Sequence, residues 1–305
     1  MDSSLANAMG QLLFLLLSGY ILKRKAILSS QGIKEISSLA VNITCPLLVI
    51  ASVSQMQTTD MAMILSYIGF GAGIYILLPV LAWFFTKRLG VCSREAGTYQ
   101  FMLIFSNTSL LGFPIVQAMF GMEAVFYTAV LHIPFDLLVY SYGMYLMNQQ
   151  TVYKRFCWQR LWNPGLVLTV FALLLYVLQW HLPQVLADAC YLLGNITTPL
   201  SMLIIGASLQ QIHIRELFRE RRLYWVAFLR LLVIPAGVYL LMVCFTDFDY
   251  VLVGIAVITF GMPVGSMIVM LANAFEANIK LSVESVSLTT AISFVTIPFL
   301  KWWLL

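Results

Sequence analysis

The chain has 305 residues, of which 61% are apolar and 10% charged, with a mean hydropathy of +0.91. A soluble domain carries roughly 25% charged residues, so composition excludes a soluble enzyme or binding module and points to an all-α integral membrane protein. The net charge of +4 traces to loops that set orientation, described below, and does not mark a nucleic-acid surface.

A membrane-spanning helix needs roughly 20 apolar residues. Ten apolar runs approach that length: 5–22, 34–55, 61–85, 96–118, 123–147, 164–180, 187–209, 223–246, 250–272 and 283–304. The first ends in Lys23-Arg24-Lys25 with no small-residue cleavage site, so it reads as a retained helix and not as a signal peptide. The second contains Asn42-Ile43-Thr44-Cys45-Pro46. The third carries Leu78-Pro79, the fourth Gly112-Phe113-Pro114 and the fifth Ile133-Pro134-Phe135. A short basic loop, 151–163, follows. The seventh run returns to the pentapeptide as Asn195-Ile196-Thr197-Thr198-Pro199, half a chain later. The eighth carries Ile234-Pro235, the ninth Gly261-Met262-Pro263 and the tenth Ile297-Pro298-Phe299. Each proline motif thus recurs in the corresponding run of the other half, in the same order. This predicts two related five-helix units, 1–150 and 164–305, joined by the 151–163 loop.

Charge tests the count. With the N-terminus outside and strict alternation, the inner loops hold Lys23, Arg24, Lys25, Lys34, Lys87, Arg88, Arg94, Lys154, Arg155, Arg160, Arg215, Arg219, Arg221, Arg222 and Lys280, which is 15 of the 17 basic residues. The outer loops hold none, as the positive-inside rule requires. Both termini are then outside, with Trp302 and Trp303 as an outer interfacial anchor. Five helices is an odd number, so the second half enters from the opposite side. The expectation is therefore two inverted five-helix repeats in a multi-pass cell-membrane protein.

Glycine and proline in the fourth and ninth runs predict broken helices. Proline lacks a backbone donor and its ring strikes the carbonyl four residues back, and unpaired backbone groups cannot face lipid. The breaks are expected near the midplane, crossing one another. Half-helix N-termini there carry partial positive charge and suit an anion. Candidate substrate-binding residues are Asn107, Thr108, Ser109, Gly112 and Pro114 in the fourth run, and Gly261, Pro263 and Ser266 in the ninth. The alternative is a pair of proline kinks with Ser and Thr capping the freed carbonyls.

Ionisable residues within a membrane are functional candidates. Asp136 lies roughly 20 Å deep by helical rise, with His132 one turn earlier and Tyr140 one turn later on the same face. This pair is a candidate site for a coupling proton; equally, both side chains can serve backbone groups freed by Pro134. No other acid lies convincingly deep; Glu284, near the inner end of the tenth run, is the second candidate. Arg230 in the eighth run can pair with a substrate carboxylate, snorkel to the headgroups, or pair with Asp136. Asn42 and Asn195 line a path or bridge helices. The five scattered cysteines and three dispersed histidines make no metal site, and the sequence calls for no bound cofactor. Sodium, which needs several oxygen ligands, stays open beside the proton as coupling ion.

The runs "SNTSLLGFP" at 106–114, "NITTPLSMLIIGASL" at 195–209 and "LRLLVIP" at 229–235 resemble the auxin efflux carrier family; "FGMPVGSMIVMLANAF" at 260–275 fits more loosely. The resemblance covers essentially the whole chain. It implies a scaffold of helices 1, 2, 6 and 7, a transport unit of helices 3–5 and 8–10, and substrate held where helices 4 and 9 cross, with Asn107, Pro114 and Pro263 at the crossing. It also implies elevator-type alternating access, with room for a homodimer through the scaffold helices. The central loop is short, unlike that of many plant members, so the chain is similar to bacterial malonate-type members. The expected function is secondary transport of a small organic anion, such as a dicarboxylate or an aromatic carboxylate, with membrane lipids as the other partner. The alternative is a membrane-embedded receptor that keeps the fold without moving its ligand. An enzyme is not expected, because no nucleophile–base pair or metal cluster is visible.

Overall fold

The computed structural model describes residues 3–54, 61–148, 164–180, 182–210 and 220–304. The 151–163 loop, Arg215, Arg219, His181, His213 and Cys157 lie outside them. Helix occupies every one of the ten predicted runs. Among the described residues no strand forms, and six helical segments are long and apolar enough to cross a membrane: Ser30–Val53, Met61–Arg88, Glu123–Met147, Gln184–Leu209, Arg221–Phe245 and Ile279–Trp303. The protein is thus all-helical and of the integral-membrane type. Shorter apolar helices cover Thr108–Phe120, Val167–Val177 and Tyr250–Phe260.

Local chemistry sets the helix ends. Ser29 Oγ accepts from the Gly32 N–H at 2.9 Å and starts Ser30–Leu39. Asp249 Oδ1 accepts from the Leu252 N–H at 2.8 Å and starts Tyr250–Phe260. Both are N-caps that satisfy an orphan donor, each worth about 1 kcal/mol. Lys23 and Arg24, and likewise Lys87 and Arg88, close their helices where the dipole is negative.

Proline shapes the interior. A π turn ends two residues before Pro46 (Ala40–Thr44), before Pro114 (Thr108–Gly112) and before Pro235 (Leu229–Val233). The missing N–H and the ring clash loosen the ladder by one residue at each site. Most of their counterparts behave differently. Pro79 sits inside a continuous helix where Pro235 follows a π turn, and Pro199 follows a short interruption at Ile196. Pro134 and Pro298 alone match, each inside a continuous helix.

The chain divides into two compact units. The first comprises Met1–Ser66, Thr108–Val130 and Trp162–Gln211. Its helices Ser3–Arg24 and Thr197–Leu209 pack along one another through Gly19 and Gly206; a Cβ on Gly19 would strike the Leu203 carbonyl and one on Gly206 the Leu16 carbonyl. Gly194 lets Gln184–Asn195 approach Cys45–Val53, where an added Cβ would stand 2.7 Å from Leu48 Cα. Small residues at such crossings are how membrane helices associate without a hydrophobic driving force. The two pentapeptides meet here, as the buried Thr197 hydroxyl donates to Thr44 Oγ1 at 2.9 Å. Cys45, Leu48, Val49 and Ile50 build the adjoining core with Phe113, Val125, Ala129, Ala172 and Leu175.

The second unit comprises Tyr67–Asn107, Leu131–Leu161 and Ile212–Leu305. Its core includes Tyr67, whose hydroxyl donates to the Leu252 carbonyl at 2.9 Å, and Gly97, packed directly on the Leu146 carbonyl. The stretch Thr108–Val130 clusters with the first unit, although the resemblance assigns all of helices 4 and 5 to one body. Packing explains this. The Phe113–Phe120 helix contacts Ser3–Arg24 and Thr197–Leu209, and Gln117 bonds to both Asn195 and Thr198.

Candidate functional site

Both predicted breaks are present, and they pair. Helix Ser93–Ile104 ends at Phe105, which is extended (φ −103°, ψ 115°). Helix Tyr250–Phe260 ends at Gly261, and a new helix, Met267–Ala274, starts after Ser266. The freed extended segments meet in an isolated antiparallel bridge at Ser106 and Val264. The Asn107 N–H donates to the Pro263 carbonyl at 2.8 Å, and the Gly265 N–H donates to the Phe105 carbonyl at 3.0 Å. Glycine keeps this approach close at 265, since a Cβ there would stand 3.0 Å from the Ser106 carbonyl oxygen and the facing backbone would have to give way. The Val264 N–H donates to Thr289 Oγ1 at 3.1 Å, and that hydroxyl donates onward to the Ser285 carbonyl at 2.7 Å. Non-helical backbone at membrane depth survives only with such partners.

Of the predicted substrate residues, the structure brings together Asn107, Pro263 and Ser266 within the second unit. Asn107 is 6% exposed, and its Nδ2 donates to Ser266 Oγ at 3.1 Å. Gly261 is buried at the start of the same break. Thr108, Ser109, Gly112 and Pro114 belong to the first unit, where they open the next helix. There the Ser109 carbonyl accepts from the Cys45 thiol at 3.3 Å.

Arg230 is fully buried, with 0% exposure. Its Nη1 donates to the Leu103 carbonyl at 2.9 Å and its Nε to the Met262 carbonyl at 3.1 Å. It therefore neither snorkels nor pairs with Asp136, and its partners are the ends of the two broken helices. An aromatic cluster surrounds the crossing. Tyr75 meets Phe135 and Phe260 at centroid distances of 5.9 and 5.2 Å, and Phe105 meets Phe101 and Phe135 at 4.5 and 5.5 Å. His132 stacks on Phe135 at 4.1 Å. Asp136 is partly buried one turn further on. Among the described residues no hydrogen bond or ion pair joins Asp136 to His132 or to Arg230. Glu284 pairs with Lys280 at 3.8 Å.

Asn195 bridges helices, since its Oδ1 accepts from Gln117 Nε2 at 3.1 Å, whereas Asn42 donates to Ser38 within its own helix. Gln117, Thr198, Tyr75 and Thr289 were not candidates from sequence. Their roles depend on partners far along the chain, and only the spacing of the mirrored motifs hints at Thr198. Chemically, the second unit offers a small polar locus in an apolar, aromatic frame. It combines an amide, a hydroxyl, unwound backbone and a buried guanidinium.

The family profile described as "Membrane transport protein" matches residues 4–154 and 148–301, nearly the whole chain. An uncharacterized transporter of Methanothermobacter thermautotrophicus is 24% identical over 305 aligned residues, covering 94% of each chain. An uncharacterized transporter of Methanocaldococcus jannaschii is 22% identical over 309, covering 96% of each. The chain, with its paired helix breaks, belongs to this family of membrane transport proteins, the auxin efflux carrier family.

Proposed function

We propose that the chain is a secondary carrier of small organic anions, such as malonate-like dicarboxylates or aromatic carboxylates. The observation that carries this reading is the pairing of two helix breaks, held by Asn107, Pro263, Gly265 and Ser266, in a transporter-family chain. In secondary transporters, discontinuous helices hold the substrate near the midplane. We place the substrate against Asn107, Gly261, Pro263 and Ser266, all in the second unit. Ten spans in two inverted five-helix repeats, with both termini outside, fit the ten helical runs and the basic loops. Elevator-type movement follows from the family resemblance. With an interior-negative potential, outward movement of an anion is favoured by about 2.3 kcal/mol per charge per 100 mV, so efflux needs no coupling ion. Uptake does need one, and Asp136 is its nearest candidate, with His132 beside it.

The test is uptake of labelled malonate, succinate and phenylacetate into proteoliposomes, with and without pH and sodium gradients. Saturable flux of at least one anion supports the carrier. Saturable binding with no flux in either direction identifies a receptor and overturns it.

A further inference from the structure

Arg230 lies in the π turn Leu229–Val233, roughly 14 Å along the Arg221–Phe245 helix at 1.5 Å per residue. A cation at such depth is costly and needs compensation. No carboxylate supplies it: among the described residues Arg230 makes no ion pair. Its bonded carbonyls come from elsewhere. Leu103 lies in the last turn of Ser93–Ile104, and Met262 directly follows Gly261, the C-cap of Tyr250–Phe260. Each helix C-terminus carries roughly half a negative charge. Two such ends together amount to about one charge, which matches the guanidinium. Nη2 makes no hydrogen bond, so these two carbonyls are the whole of its hydrogen-bonded compensation. The planar fork can reach two carbonyls from two helices at once, which a lysine ammonium does poorly.

Carbonyls at unwound segments and half-helix C-terminal ends are also where broken-helix carriers bind a free coupling cation. In this chain a side chain holds them. We infer that Arg230 is a tethered counter-cation: a positioning residue that neutralises the C-terminal ends of both broken helices, fixes the two breaks against each other, and fills the carbonyl site a coupling sodium would need. The sodium-independence that follows rests on the carrier reading above; the positioning role does not.

Two measurements separate these claims. The first is thermal unfolding of purified full-length protein in detergent. Arg230→Ala is expected to melt about 10 °C below wild type, on the scale of a broken buried ion pair. Millimolar methylguanidinium is expected to recover part of that loss, while tetramethylammonium recovers none and wild type responds to neither. A variant as stable as wild type, or equally indifferent to both cations, overturns the inference. Should Arg230→Ala fail to fold, Arg230→Lys and Arg230→Met decide. Lys is expected to give the higher yield of monodisperse protein and the higher melting point, and Met equal to or better than Lys overturns the role. The second measurement is wild-type flux of labelled malonate with sodium or N-methylglucamine on both sides. Rates are expected to agree within twofold, and a sodium requirement overturns the filled-site claim. Absence of flux for every carboxylate tried counts against the carrier reading alone, because the thermal comparison still judges Arg230.

Discussion

The crossing depends on Gly265, and Gly265→Val probes it directly. An added Cβ there stands 3.0 Å from the Ser106 carbonyl oxygen and 3.3 Å from its carbon, whereas relaxed contacts sit near 3.5–4.0 Å. The two extended segments must separate by roughly half an ångström for Cβ alone, and further for the γ-methyls. That lengthens the Gly265 N–H bond to the Phe105 carbonyl, now 3.0 Å, and the Asn107 N–H bond to the Pro263 carbonyl, now 2.8 Å. Two weakened backbone bonds at about 1 kcal/mol each, with about 1–3 kcal/mol of overpacking, give a cost of about 2–5 kcal/mol at the site. Gly237→Val is the control. It places the same atoms in Ile234–Phe245, where an added Cβ meets nothing within 4 Å. The assay is initial-rate anion flux in proteoliposomes at matched protein incorporation. Because about 1.4 kcal/mol is tenfold, Gly265→Val should lose at least tenfold in rate or affinity while Gly237→Val stays near wild type. Gly265→Val transporting within twofold of Gly237→Val would refute the argument that the paired breaks form the working site.

Three further outcomes are expected. Asn107→Ala should raise the substrate KM about tenfold, equivalent to about 1.4 kcal/mol, with little change in melting point, read from flux titrations and thermal unfolding. Thr44→Val and Thr197→Val should each cost about 1 kcal/mol, and the double variant should cost less than their sum by a similar amount, since the two hydroxyls bond one another; additive losses would deny the coupling. In proteoliposomes with an imposed pH gradient, Asp136→Asn should abolish gradient-driven uptake yet leave exchange at zero gradient intact. Unchanged gradient response would remove Asp136 from coupling.

Much of the organisation was legible in sequence because its causes are local. Apolar run length marked the ten helical segments, and Gly261-Met262-Pro263 marked the break in the ninth run, whereas the break in the fourth falls at 105–107, ahead of Gly112-Phe113-Pro114. The Thr44–Thr197 bond that joins the two pentapeptides has no sequence signature; their repetition marks related halves and not a contact. Other features were not legible. Three π turns precede Pro46, Pro114 and Pro235, yet Val139–Gly143 precedes no proline and Pro79 and Pro298 leave their helices continuous, so the motif does not dictate the turn. From sequence Arg230 seeks a carboxylate or the headgroups, because sequence shows side-chain charges and hides backbone ones; its partners are carbonyls exposed by breaks in two other helices. The clustering of Thr108–Val130 with the first unit arises from Gln117 and its long-range partners, which carry no periodic signature.

The most direct test of the central claim is counterflow. Proteoliposomes loaded with unlabelled malonate, succinate or phenylacetate are diluted into a trace of the same labelled anion, with no ion gradient. A carrier returns loaded and exchanges its cargo, so label should transiently accumulate above its external concentration before decaying. Saturable binding of an anion without accumulation at any internal load would contradict the carrier account.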